Sequence, residues 1–117
     1  FIVSGKDESA FESEKSAARA RISFYASTPA YKGVLGVHGW GDLQPELNAM
    51  SKQGLWQEMA GLVTVDMLNA FGVMGEPGNI VSEMQKRYGD FTDRTGGSFG
   101  FVDADQRLDM VAQLRSA

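Results

Sequence analysis

Chemistry in this chain concentrates in one stretch, residues 24–43, which holds His38, the chain's one histidine, together with Trp40, Tyr31, Tyr25 and Phe24. An imidazole titrates near neutral pH and can give or take a proton. His38 is therefore a substrate-side candidate at the mouth of a site, or a residue on an apolar helix face that hydrogen-bonds a carbonyl. Trp40 stands between Gly39 and Gly41, so it either stacks on a planar ring or wedges its loop. Phe24, Tyr25 and Tyr31 surround the Ser27-Thr28-Pro29 corner, as a pocket wall or as a hydrophobic staple. No residue is singled out as catalytic. The sequence has no carboxylate pair, P-loop, nucleophile elbow or metal-ligand spacing, and no metal is expected.

Composition narrows the classes. A chain of 117 residues, 43% hydrophobic, is long enough for one small domain with a core. Eleven basic residues against fifteen acidic ones give a net charge of -4 with no cationic stripe, which argues against nucleic acid as a partner. No apolar run reaches membrane-span length, and cysteine is absent. The reading is a cytoplasmic protein with no membrane partner. Phe1-Ile2-Val3 starts as a bare strand-like run, which predicts a piece of a longer protein or, alternatively, a processed terminus.

The elements that must position these residues follow from periodicity and punctuation. After the strand at Phe1–Val3, a helix runs to about Tyr25. Asp7 or Ser9 caps it, Ser9 to Glu12 fits a capping box, and Phe11, Ala18, Ile22 and Tyr25 form its buried face. Its acidic start and basic end suit the helix dipole. Thr28 and Pro29 open a second helix to about His38, placing Tyr31, Val34, Leu35 and His38 on one apolar face. Asp42 or Gln44 caps a third, carrying Leu43, Leu47 and Met50 to a stop at Gly54. A short fourth spans Leu55–Val63, and a fifth starts near Thr64. Residues 71–75 read as extended chain. Ile80, Val81, Met84 and Tyr88 mark a helix ending at Gly89, and 90–95 a further strand in which Asp93 and Arg94 pair. A glycine-rich stretch, 96–100, leads to a last helix with Leu108, Val111 and Leu114 buried. The six methionines read as core filler. A phosphate at the helix start over 75–79 is opposed by the charge of Glu76.

Two runs carry a family resemblance. Gly75-Glu76-Pro77-Gly78-Asn79-Ile80-Val81 with Tyr88-Gly89 and Asp93-Arg94 resembles the last βα units of bacterial luciferase-like monooxygenases, Glu76 standing where the family usually has threonine. Phe24-Tyr25-Ala26-Ser27-Thr28-Pro29-Ala30-Tyr31 with His38-Gly39-Trp40 is similar to the actinobacterial deazaflavin-dependent oxidoreductases of that superfamily. The resemblance implies an α/β fold, the C-terminal portion of a (β/α)8 TIM barrel, mostly helical in isolation with two or three short strands. Residues 1–117 would be a single C-terminal fragment, with 24–70 a helical excursion and 71–117 the last βα units. The implied cofactor of the parent is coenzyme F-420, a deazaflavin, with FMN as the alternative, acting on a small-molecule substrate. Because the cofactor rests mainly on earlier strands, no cofactor-binding residue is assigned and none is expected bound to the fragment, which would be inactive. The alternative is a non-enzymatic helical module that self-associates or binds a partner. A homo-oligomer is expected on either reading, since open strand edges and apolar faces need covering.

Overall fold

The computed structural model describes residues 1–95, 97, 99, 100 and 102–116. It is mostly helical, with one small parallel sheet. In chain order the elements are β1 (Ile2–Val3), α1 (Glu8–Ala26), a 3-10 turn (Pro29–Tyr31), α2 (Lys32–Val37), α3 (Leu43–Lys52), α4 (Trp56–Gly61), α5 (Val65–Phe71), β2 (Val73–Met74), α6 (Pro77–Tyr88) and α7 (Ala104–Arg115). They form two compact units, one of residues 1–15 with 69–117 and the other of residues 16–68.

In the first unit β1 lies parallel to β2, Ile2 opposite Val73 and Val3 opposite Met74. Gly75 N–H donates to the Val3 carbonyl at 3.2 Å, and the buried Ser4 hydroxyl donates to the Gly75 carbonyl at 2.6 Å. The core collects Val73, Ile80, Val81, Met84, Phe99, Val102 and Met110, with Ile2, Tyr88, Val111 and Leu114 packed against it. Arg87 secures the approach to β2 by donating to the carbonyls of Asn69 (3.0 Å) and Gly72 (2.7 Å). The second unit is all helix and buries Ala18, Ile22, Ala26, Leu35, Leu47, Met59, Val63, Met67 and Leu68. Met59, Met67, Met84 and Met110 are buried, as filler should be.

Several local expectations are corrected. Asp7, not Ser9, caps α1, accepting the Ala10 N–H at 2.8 Å, while Glu12 pairs with Lys15 instead of closing a capping box. The last turn of α1 holds no basic residue, because Arg19 and Arg21 lie too far back. Neither Asp42 nor Gln44 caps α3 through its side chain. Residues 90–95 form no strand. Phe91 N–H, Thr92 N–H and the Thr92 hydroxyl all turn back to the Tyr88 carbonyl, and a stretch so polar has no apolar face to bury in a sheet. No ion pair joins Asp93 to Arg94. Within the glycine-rich stretch, Gly96 and Ser98 lie outside the described residues.

The buried face of α7 is also rotated from the expected one. Met110 is buried with Val111 and Leu114 half-buried beside it, whereas Leu108 is 68% exposed. Met110→Ala should therefore cost roughly 2–5 kcal/mol in chemical denaturation, as for a core truncation. Leu108→Ala should stay within about 0.5 kcal/mol of the parent chain. Equal losses would return Leu108 to the core.

Candidate functional site

Three features are candidates, an aromatic row and a histidine–tryptophan pair in residues 16–68 and a cleft in the other unit. In the helical unit, residues 16–68, the chain reverses at Ser27-Thr28-Pro29. The end of α1 leaves carbonyls without helical partners. Hydroxyls take them up, Ser27 donating to Phe24 O at 2.6 Å and Thr28 to Tyr25 O at 2.8 Å. Thr28 therefore satisfies the helix it follows, and its side chain does not cap the turn it precedes. From α3, the amides of Gln44 and Asn48 both donate to the Ser27 carbonyl at 3.0 Å. The buried Gln44 thus fixes the corner.

That corner sets out a row of aromatic rings. Tyr25 and Tyr31 lie 5.8 Å apart between centroids, Phe24 and Tyr25 meet edge to face at 5.6 Å, and Phe24 meets Trp56 at 6.0 Å. All four are partly open to solvent, from 42% for Tyr31 to 52% for Phe24. Tyr25 thus leaves the buried face assigned to it, and Ser23 and Ala26 join Ala18 and Ile22 there. The row contacts itself, as a staple would, and still presents an outer apolar surface, as a wall would. Trp56 is the member that sequence reading missed. It starts α4, and at that spacing a tryptophan reads as core; only the fold brings it beside Phe24.

His38 and Trp40 form a separate pair, with rings stacked at 4.9 Å and 18° between planes. The apolar face expected of α2 does not form around them. Only Leu35 is buried in α2, while Tyr31, Val34 and His38 are exposed. A helix of six residues has room to bury little more than one side chain. The pair is made by a tight turn. Leu35 O accepts the N–H groups of His38 (3.1 Å) and Trp40 (2.9 Å), with Gly39 between them at φ +80°. A left-handed backbone there favours glycine. The result is an imidazole stacked on a planar indole, with His38 exposed and Trp40 half-buried.

In the other unit, parallel pairing puts the C-terminal ends of β1 and β2 side by side. The loops leaving them, residues 5–7 and 75–76, border a cleft of about 710 Å³ with Phe11 and Gln106 among its walls. Close packing makes this end exacting. A Cβ on Gly5 would run into the backbone N of Phe11 and come within 2.6 Å of the Ala10 carbonyl carbon. No group of three or more histidine, aspartate or glutamate side chains among the described residues is arranged to hold a metal ion. None of the described helices is long and apolar enough to cross a membrane.

Comparison with known proteins finds relatives without an assigned activity. No family model matches the chain, and no solved structure matches it. Uncharacterized proteins of Mycobacterium bovis and of two strains of Mycobacterium tuberculosis are each 43% identical over 94 residues, covering 80% of this chain. The match spans 28% of the length of those relatives.

Two substitutions test the turn and the strand end. Gly39→Ala should lower stability by about 1 kcal/mol or somewhat more and shift tryptophan emission as Trp40 leaves His38. Gly5→Ala should cost about 1–3 kcal/mol through overpacking, read as a lower melting temperature with tryptophan emission at 25 °C unchanged.

Proposed function

We propose that the chain is the C-terminal part of a luciferase-like oxidoreductase of the cytoplasm, built on a (β/α)8 barrel and dependent on coenzyme F-420, with FMN as the alternative. The observation that carries this is the parallel β1–β2 pair. Its strands are joined through a helical crossover and followed by α1 and α6, with loops at their C-terminal ends bordering one cleft. Barrels of this class form their sites from the loops at those ends. Length supports the same reading. Since 94 residues make up 28% of each mycobacterial relative, those proteins are about 340 residues long, within the range of such barrels, roughly 200 to more than 400.

The deazaflavin or flavin ring, when bound, supplies the hydride-carrying centre. The residues of this chain suit the substrate side better than the cofactor side. Phe24, Tyr25, Tyr31 and Trp56 offer apolar faces that exclude water from a flat small-molecule substrate. His38, oriented by Trp40, holds or moves a proton at its imidazole. At the strand ends, Lys6 is the lone cationic side chain among the described residues lining the cleft, and the bulk of a cofactor bed would have to come from other strands. The 117-residue chain alone is expected to be catalytically silent.

A protein of the relatives' full length, titrated with coenzyme F-420 and with FMN, should bind one of them with a change in cofactor fluorescence. His38→Ala or Trp40→Ala in it should lower turnover or raise KM for substrate while cofactor affinity stays within twofold. Absence of binding by either cofactor would reject the assignment. A second reading, a non-enzymatic self-associating module, is favoured by the apolar surface of residues 16–68, where Val37 is 83% exposed and Val34, Val65 and Trp56 about half exposed. On that reading a second copy covers these residues. Light scattering should then give a dimer at micromolar concentration that Trp56→Ala or Val37→Asp dissociates. A monomer throughout that range would exclude it.

A further inference from the structure

The unit of residues 1–15 and 69–117 also carries a groove larger than the strand-end cleft. It lies between α6, residues 89, 92–95, 97, 99 and 100, and α7, and measures about 1010 Å³. That is the upper end of the usual size of small-molecule pockets, about 300–1,000 Å³. Its floor is apolar, made by Met84, Phe99, Val111 and Leu114, all buried or half-buried. Its lining includes Arg94, Arg107 and Arg115, three of the six arginines of a chain whose net charge is -4. Asp93 is the one carboxylate among the described lining residues.

The arginines are not spent elsewhere. Arg107 gives one N–H to the Val102 carbonyl at 3.2 Å, which steadies its guanidinium and leaves further donors. Arg94 and Arg115 make no ion pair among the described residues. Gln85, half-buried on α6, donates to Gln113 O at 3.0 Å and holds α6 to α7 along the groove. Three exposed arginines along one groove of an acidic protein favour an anion, and their planar forks suit carboxylate or phosphate oxygens. The floor favours an apolar body attached to that anion.

We propose that this groove binds a small amphiphilic anion, an apolar chain ending in a carboxylate or a phosphate monoester. The head group lies against the arginines that line the groove, Arg94, Arg107 or Arg115, and the chain lies along Met84, Val111 and Leu114. This assignment is independent of the oxidoreductase reading, because it uses neither the strand-end cleft nor the aromatic corner.

Calorimetric titration of the 117-residue chain below micelle-forming concentrations tests it, with dodecyl phosphate, dodecanoate, dodecanol and inorganic phosphate as probes. At least one of the two amphiphilic anions should bind, and which one is tighter identifies the head group. Dodecanol and inorganic phosphate should each bind at least tenfold more weakly than that anion. The double variant Arg94→Gln/Arg115→Gln should weaken it tenfold or more with an unchanged circular dichroism spectrum, whereas Trp56→Ala should leave it within twofold. Amide resonances should shift on α6 and α7. Failure of both anions to bind, equal binding of dodecanol or of inorganic phosphate, an unaffected double variant, or shifts confined to residues 16–68 would each overturn the proposal.

Discussion

Parallel pairing of β1 with β2 is the constraint that the chain's organisation depends on. Antiparallel strands close through a tight turn, but parallel strands require the chain to travel back to its starting end. Here residues 4–72 make that journey, and their regular structure is all helical. Two residues per strand cannot hold such a pair by themselves. The ladder is reinforced at its end by Ser4, whose buried hydroxyl reaches the Gly75 carbonyl, and at its approach by Arg87 on the carbonyls before β2. The same pairing brings two loops together at one end, which is why a cleft forms there.

The crossover carries the chemical groups. Its corner after α1 depends on polar side chains that satisfy backbone carbonyls, with Ser27 and Thr28 acting locally and Gln44 and Asn48 reaching from α3. Because the backbone is held this way, the neighbouring aromatic rings are not needed as core. They remain partly exposed while touching one another. The His38–Trp40 pair follows the same logic, since its shape is set by backbone bonds to Leu35 and by Gly39.

Much of the local structure was legible in the residue order. The helices appear near their expected positions, with the break at Gly39-Trp40-Gly41 and extended chain at Val73–Met74. Those features depend on contacts within a few residues, where capping oxygens, proline and glycine act directly. The strand expected over 90–95 did not form, since extended chain needs a neighbour to pair with and a face to bury. Periodicity also misjudged which face of a short helix is inside: Leu108 for Met110 in α7, and His38 on a face where only Leu35 is buried.

What sequence alone could settle was the local grammar: mostly helix, little strand, a distinctive aromatic and histidine-bearing segment, and an acidic chain without cysteine. Tertiary structure decided which distant residues meet. It paired Ile2 with Val73, set Trp56 beside Phe24, turned Gln44 onto Ser27, and gathered Arg94, Arg107 and Arg115 around one apolar floor. The physical reason is the range of the interactions. Caps, turns and helix propensity act over one or two turns of chain, whereas burial and convergence depend on which surfaces the whole fold removes from water.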